Sequence, residues 1–180
     1  FTTIIITFIF STYFSQQIAP SNIIGQSYWG WTIGASGFLV AILGPIIGSI
    51  SDKNNYNVYF LRTFTALCIL TTCLLWFSKP SINFFYFTLI IVGIANFFYE
   101  VSLIFYNSLL IRVSSREKIG KSSGYGFALG YLGGLLALLV SIKIFIQADF
   151  LSKEQAQNIR LISFFVSFWF LIFSLPFLVK

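Results

Sequence analysis

Apolar residues fill the chain in six long runs, and short polar stretches separate one run from the next. Each run is about as long as the roughly 20 residues that a helix needs to cross the hydrocarbon core of a bilayer. The stretches between them, such as APSN after the first run and SDKNNYN after the second, have the composition of turns. The pattern predicts an all-α polytopic membrane protein. Its six transmembrane helices are expected at about residues 1–19, 29–50, 58–78, 84–110, 123–146 and 161–179.

The composition agrees with a chain that lives in lipid. Hydrophobic residues make up 57% of the 180 and charged residues only 9%, whereas about a quarter of the residues in a typical soluble domain are charged. The sequence has no Met and opens directly on the apolar run FTTIIITFIF, without the basic region or cleavage site of a signal peptide. We therefore expect a piece of a longer protein that begins within its first helix and continues beyond Lys180.

No catalytic or metal-binding set can be assembled from these residues. There is no His, and the two cysteines, Cys68 and Cys73, lie five residues apart in one apolar run, which suits packing better than zinc or redox chemistry. No pair of carboxylates lies within one helical turn, and no Ser or Cys has an activating partner. The residues do not support an enzyme, and no cofactor or metal is expected.

Basic residues are distributed unevenly between the two sides of the predicted bundle. Seven lie on one side, namely Lys53, Arg62, Arg112, Arg116, Lys118, Lys121 and Lys180, and four on the other, namely Lys79, Lys143, Lys153 and Arg160. Because Lys and Arg are enriched in cytoplasmic loops, the richer side is predicted to be cytoplasmic, with both ends of the chain on it. The net charge of +6 then reflects membrane topology, and no nucleic acid is expected as a partner.

Two predicted helices carry stripes of small residues. In the second helix one face, about 80° wide at about 100° per residue, holds Gly30, Gly34, Gly37, Ala41, Gly44 and Gly48. The fifth helix repeats the pattern with Gly126, Gly130 and Gly134. Small residues let membrane helices approach closely, so these stripes predict either tight packing alone or contacts that also slide during a conformational cycle.

The fourth helix carries a strip of polar side chains at membrane depth. Gly93, Asn96, Glu100 and Asn107 lie within about 60° of one another on the helical wheel. A second, flanking strip holds Tyr99, Ser102 and Tyr106. Hydrocarbon cannot satisfy such groups, so the strip must face protein or water. It is either a hydrogen-bonded seam that joins helices or the lining of a solute pathway with Glu100 as a binding or protonatable group.

Glu100 has no matching cation in the sequence. Counted along the helices, Lys143 lies about 15 Å further across the membrane, and Arg62 and Arg112 lie near the cytoplasmic surface. The carboxyl group is therefore protonated, paired with a group outside this chain, or exposed to an aqueous cavity. Two of these three alternatives imply a working site.

A cytoplasmic loop resembles the loop signature of the major facilitator superfamily. The stretch GPIIGSISDKNN contains a Gly, then an Asp four residues later, then a basic residue, here Gly48, Asp52 and Lys53. The resemblance implies that the Gly permits close helix contact and that the acidic and basic pair latches the cytoplasmic gate. The later Gly and the paired basic residues of the signature are replaced by the run Asn55–Asn57. This departure predicts a weaker latch.

The segments YEVSLIFYN and YNSLLIRVSSREKIGKSSGYGFALGYLGGLLALL, at residues 99–107 and 106–139, resemble one branch of that superfamily. The branch includes the fungal vacuole effluxer linked to autophagy and its bacterial relatives. The resemblance implies the N-terminal six-helix half of a transporter, with a C-terminal half as its partner. It also implies that helices 1, 2, 4 and 5 line the cavity or gate, which adds Thr12, Ser15 and Gln16 to the pathway candidates.

The resulting hypothesis is a secondary transporter that exports a small solute, such as an amino acid or similar metabolite, by alternating access. Protons are a second expected partner, the bilayer is the third, and the bacterial inner membrane is the expected location. Two alternatives stay open. One is a helical membrane scaffold whose polar strip only joins helices, and the other is a membrane-embedded enzyme whose site lies outside these residues.

Overall fold

The computed structural model describes residues 6–115, 118–147 and 154–179, which form a bundle of six helices. Helix α1 consists of three consecutive pieces, Ile6–Phe10, Ser11–Tyr13 and Phe14–Ile18, of which the first and last have π-helical geometry. The next three helices are α2 at Asn22–Asn54, α3 at Asn57–Leu74 with a 3-10 turn at Leu75–Phe77, and α4 at Phe85–Val113 after a 3-10 turn at Ile82–Phe84. The last two are α5 at Ile119–Val140, continued in π-helical geometry over Ser141–Ile146, and α6 at Gln157–Val179 after a 3-10 turn at Glu154–Ala156.

The described residues contain no strand, and the predicted all-α membrane class is confirmed. Within the described part of the chain, five helices are long and apolar enough to cross a membrane, at Asn22–Asn54, Asn57–Phe77, Ile82–Arg112, Ile119–Ile146 and Gln157–Leu175. The first predicted helix, at residues 1–19, is described only from Ile6 onward, and that part is helical as far as Ile18.

Three helices begin earlier than the apolar pattern predicted. Helix α2 starts at Asn22 rather than at about residue 29, because the Ser21 hydroxyl caps it by accepting a bond from Ile24 N at 3.3 Å. Its end at Asn54 is set by Asn55, whose φ of 55° is a left-handed conformation that Asn tolerates well. Helices α5 and α6 start at residues 119 and 157 rather than at 123 and 161. Hydropathy marks the apolar part of a helix, whereas its hydrogen bonds and caps decide where it ends.

Helix α4 packs against α1, α2 and α3. Toward its end, Phe105 stacks on Phe60 of α3 with ring centroids 5.4 Å apart, and Val101 beside it is fully buried. At its start, Phe85 stacks on Phe14 of α1 at 5.1 Å. Stacked and offset rings at these separations add to the apolar burial. They fix α4 in the bundle and thereby position the polar residues that it carries.

Helices α2 and α5 leave many large apolar side chains uncovered. Trp31 and Phe38 of α2 are 79% and 67% exposed, and Leu129 and Tyr131 of α5 are 68% and 63% exposed. Apolar surfaces of this extent are covered in use, by lipid or by another protein surface. These are also the two helices on which the sequence shows the glycine stripes.

A buried arginine ties the bundle together at one end. Arg160 of α6 is 4% exposed, and its Nε donates to the Trp76 carbonyl at 2.6 Å while Nη1 donates to the Gln155 carbonyl at 3.5 Å. Its guanidinium carbon also lies 4.5 Å from the centroid of the Trp76 ring. Beside it the Tyr13 hydroxyl donates to the Ser78 carbonyl at 2.7 Å. These five residues, the Arg160 cluster, join α1, α3 and α6.

Candidate functional site

The polar strip of α4 faces α2 along part of its length. Asn96 Nδ2 donates to the Ser36 hydroxyl of α2 at 2.6 Å, and Ser36 in turn donates to the Ile33 carbonyl at 3.0 Å. One turn earlier, a Cβ on Gly93 would lie 3.1 Å from the Thr32 methyl group of α2. At this level the strip is therefore a close contact between two helices, with a hydrogen bond across it.

Glu100 lies one helical turn beyond Asn96 and has a different environment. Its side chain is half-buried, and the carboxylate has no hydrogen bond or ion pair with any residue that the structure describes. Asn107, two turns further on, is exposed. The strip thus changes along α4 from a paired amide to an unpaired carboxylate and then to an exposed amide.

The two tyrosines of the flanking strip both lie near helix contacts. Tyr99 lines a small cavity of about 30 Å³ between α1, α2 and α4, together with Asn96, Thr7 and Ile33. This volume suffices for one water molecule beside the Asn96 amide. Tyr106 approaches α5, because a Cβ on Gly126 would lie 3.1 Å from its hydroxyl oxygen.

The candidates on α1 bond within their own helix or are exposed. Thr12 is exposed, and its hydroxyl donates to the Phe8 carbonyl one turn earlier at 2.9 Å. Gln16 is also exposed, whereas Ser15 is buried and donates to the Ser11 carbonyl at 2.8 Å. No hydrogen bond joins Thr12 or Gln16 to the strip on α4 within the described ranges.

At the opposite end of α3 from the Arg160 cluster lies a second polar group, formed by Ser51, Asp52, Asn57 and Arg112 and called the Asp52 cluster. Asp52 Oδ1 lies 3.7 Å from Arg112 Nη2 at the end of α4 and accepts a bond from Asn57 Nδ2 at 3.0 Å. The Ser51 hydroxyl donates to Asn57 Oδ1. Lys53, the basic residue of the loop signature, is exposed and has no ion pair among the described residues.

The sequence interpretation missed three members of the Asp52 cluster. Arg112 was counted only as a basic residue near the cytoplasmic surface, although it stands at the end of the helix that packs beside α2. Asn57 was read as the loss of a basic residue from the signature. The available signal was its place directly after a turn, where short polar side chains bond to neighbouring groups.

An open groove runs along α2 beside the Asp52 cluster. Its volume is about 670 Å³, and its walls come from α2 and α4, at Val40, Ala41, Gly44, Pro45, Gly48, Ser49, Asp52 and Ile104. Gly48 faces the groove, and a Cβ there would meet no atom of the described residues within 4 Å. The groove is mostly apolar, and its polar side chains are Ser49 and, at one end, the Asp52 carboxylate.

The predicted packing glycines fall into two groups. A Cβ on Gly44 would lie 3.0 Å from Ile104 Cδ1 of α4, Gly126 meets Tyr106 as described, and Gly134 is buried. By contrast, a Cβ on Gly30, Gly34 or Gly130 would meet no described atom within 4 Å. The first group packs inside this bundle, and the second leaves open strips on α2 and α5.

Comparison of the chain with known proteins identifies its family. The family profile described as "Vacuole effluxer Atg22 like" matches residues 15–120 and 111–180. The chain is 25% identical over 181 residues to YxiO of Bacillus subtilis (strain 168), described as an uncharacterized MFS-type transporter, which covers 96% of this chain and 41% of that relative. It is 26% identical over 139 residues to an uncharacterized protein of Aquifex aeolicus (strain VF5), covering 76% of this chain and 34% of that protein. No solved structure matches the chain significantly.

The chain thus spans about two fifths of the length of the Bacillus relative and about one third of the Aquifex relative. The profile match covers more than nine tenths of the chain, including the loop signature, the polar strip of α4 and the glycines of α5. It confirms the resemblance that those motifs carry, and the chain belongs to the Atg22-like vacuole effluxer family.

Proposed function

We propose that this chain is the N-terminal half of a secondary transporter of the major facilitator type, which exports a small solute by alternating access. The observation that carries the proposal is the half-buried Glu100 carboxylate, which has no partner among the described residues and lies within a membrane-spanning helix. A charged carboxylate in the middle of a spanning helix costs about 2.5 to 3.5 kcal/mol even on insertion scales. That cost is offset where the group meets water, a proton or a solute.

Glu100 is the proposed substrate or proton group, and its neighbours on α4 complete the pathway. Asn107 is exposed beyond it, and Tyr99 and Tyr106 flank it toward the small cavity and α5. Amides, hydroxyls and a carboxylate together suit a solute with both an amino and a carboxyl group, such as an amino acid. Gln16 and Thr12 are proposed to reach this pathway in another conformation, since both are exposed here.

The exposed faces of α2 and α5 support a second half of the same protein as partner. Gly30, Gly34 and Gly130 leave open strips on these helices, and small residues permit close contact between membrane helices. The Asp52 cluster, with Gly48 in the groove beside it and Lys53 next to it, is the proposed cytoplasmic gate. Both ends of the chain then lie in the cytoplasm, and the bacterial inner membrane is the proposed location.

A scaffold is the competing function, and one contact favours it. The Asn96 to Ser36 hydrogen bond is the kind of seam that only joins helices. That contact involves Asn96, however, and the Glu100 carboxylate one turn away has no bond to any residue in the described part of the chain. The two functions therefore make different predictions for Glu100.

Solute flux by the full-length protein in proteoliposomes tests the proposal. Glu100→Gln keeps the shape and removes the charge, so we expect flux driven by a pH gradient to fall at least tenfold. Ser108→Ala is the matched control, because Ser108 lies on the same helix and its buried hydroxyl has no hydrogen-bond partner among the residues that the structure describes. Flux that is unchanged in Glu100→Gln would remove Glu100 from the pathway, and absence of flux in the wild type would favour the scaffold.

A further inference from the structure

The Asp52 cluster contains a residue whose place indicates a specific task. We infer that Asn57 is a positioning residue that orients the Asp52 carboxylate toward Arg112, so that the link between α2 and α4 depends on a neutral amide at position 57. The inference rests on the cytoplasmic gate proposed above, and it names Asn57 as the residue that orients Asp52 in that gate.

The Asn57 side chain is held in one orientation by its neighbours. It is 2% exposed, and Ser51, which donates to its Oδ1, is fully buried. With the oxygen engaged by a donor, the amide nitrogen must point the other way, and there it donates to Asp52 Oδ1 at 3.0 Å. A flipped amide would set its oxygen against the Asp52 carboxylate, which only accepts, so that bond would be lost, whereas the Ser51 hydroxyl could accept from the amide nitrogen instead. The Asp52 carboxylate therefore decides which way the amide points.

The Asp52 side chain itself has little else to hold it. It is 67% exposed, and its other contact is Arg112 Nη2 at 3.7 Å, a side chain that is 48% exposed. Exposed ion pairs gain little because two mobile side chains must be held in one geometry. The Asn57 bond fixes one of the two partners in advance, which removes part of that cost.

The neutrality of Asn57 decides which partner Asp52 takes. The loop signature has paired basic residues in the stretch where this chain has Tyr56 and Asn57. A cation at position 57 would neutralise Asp52 within its own loop. An amide holds the carboxylate and leaves its charge for Arg112, so the loop between α2 and α3 is coupled to the end of α4.

The experiment uses the full-length protein with Ser49→Cys as its single cysteine, which requires replacement of Cys68, Cys73 and any other cysteine of the full-length protein. Ser49 is exposed and lines the groove beside Asp52, so its rate of labelling by a membrane-impermeant maleimide reports how open that end is. The variants are Asn57→Ala, Arg112→Gln, Asp52→Asn and their pairs. Asn57→Asp is the near-isosteric second variant. Asn54→Ala is the matched control, since Asn54 is exposed and its amide donates to the Ile50 carbonyl of its own helix.

We expect Asn57→Ala and Arg112→Gln each to raise the labelling rate about fivefold, a typical size for coupling between sites. The double variant should exceed neither single variant, and Asn57→Ala should add nothing in the Asp52→Asn background. Asn57→Asp should raise the rate at least as much, because it sets one carboxylate against another. The Asn54→Ala rate should equal that of the wild type.

Two results would overturn the positioning role. In one, Asn57→Ala lowers the melting temperature but leaves labelling unchanged while Arg112→Gln raises it. In the other, Asn57→Ala raises the labelling rate as much in the Asp52→Asn background as it does in the wild type. If neither Asp52→Asn nor Arg112→Gln changes labelling, the gate is refuted instead. The melting temperatures then decide about Asn57: additive losses in Asn57→Ala and Arg112→Gln refute positioning, and non-additive losses support it.

Discussion

The two polar clusters at opposite ends of α3 are built in opposite ways. Trp76 in the Arg160 cluster and Asn57 in the Asp52 cluster are separated by about 30 Å of helix, close to the thickness of the bilayer core. Arg160 is 4% exposed and is held by two carbonyl oxygens and an indole ring. Asp52 and Arg112 are 67% and 48% exposed and meet as ions at 3.7 Å.

This difference indicates which end can rearrange. A buried cation bonded to main-chain oxygens cannot leave without breaking those bonds, and the loss of buried hydrogen bonds to a charged group is expensive. An exposed ion pair at 3.7 Å gains about 1 kcal/mol in water and can be exchanged for hydration at little cost. We therefore expect α1, α3 and α6 to stay together at the Arg160 end, while the contact between α2 and α4 at the Asp52 end opens and closes.

Backbone strain at the Arg160 end agrees with this interpretation. Gln155 and Ala156 have φ of 48° and 53°, which are left-handed conformations that cost non-Gly residues about 1 to 3 kcal/mol each. Such a pair persists only when its surroundings hold it. Arg160 bonds the Gln155 carbonyl, and Ala156 is buried in the core beside Phe10 and Tyr13.

The largest expected effect is that of Arg160→Leu on stability. The substitution leaves the Trp76 and Gln155 carbonyls without their donor and removes the contact with the Trp76 ring, so we expect a loss of about 2 to 4 kcal/mol in the free energy of unfolding. Thermal unfolding of the full-length protein in detergent measures it. Lys79→Leu is the matched control, because Lys79 is exposed near the same end and should change stability by less than about 0.5 kcal/mol.

If Arg160→Leu proved as mild as its control, the Arg160 end would not be the fixed end, and the comparison would fail. Accessibility of Ser49→Cys supplies a second readout in the same variant. Because the Arg160 cluster lies across the bundle from the groove, the labelling rate should stay within twofold of the wild type.

The sequence predicted the fold far better than it predicted the difference between the Arg160 cluster and the Asp52 cluster. Six apolar runs, a loop signature and the segments at residues 99–107 and 106–139 were enough to predict the helices and the family, because all of them are local patterns. The burial of Arg160 depends on α6 reaching the Trp76 carbonyl oxygen and ring at the end of α3, and no local pattern records that approach. Glu100 was found because a carboxylate in an apolar run is visible in the sequence alone. Asn57 and Arg112 were missed because their importance lies in their contacts with Asp52. These contacts join the start of α3 and the end of α4 to the end of α2.

Asp52→Asn is expected to lower stability less than Arg160→Leu does and to change the conformation more. We predict a loss below about 1 kcal/mol, since the pair is exposed, together with a shift toward the state open at the Asp52 end. Salt provides an independent check. The Debye length falls from about 10 Å at 0.1 M to about 3 Å at 1 M, so high salt should bring wild-type labelling of Ser49→Cys close to the Asp52→Asn rate. If the wild type and Asp52→Asn were labelled at equal rates at low salt, the result would contradict an electrostatic gate.

The smallest effect is expected at Lys53, and it sharpens the picture of the Asp52 end. The loop signature makes Lys53 the natural partner of Asp52, whereas in the structure the carboxylate meets Arg112 and Lys53 is exposed. An exposed cation that forms no ion pair within the described ranges contributes little, so Lys53→Gln should change stability by less than about 0.5 kcal/mol. The labelling rate of Ser49→Cys in the Lys53→Gln variant should equal that in the wild type. The rate in Arg112→Gln should equal the rate in Asp52→Asn. If Lys53→Gln opened this end as far as Arg112→Gln does, Asp52 would exchange partners during the cycle, and the contact with Arg112 would represent only one of its states.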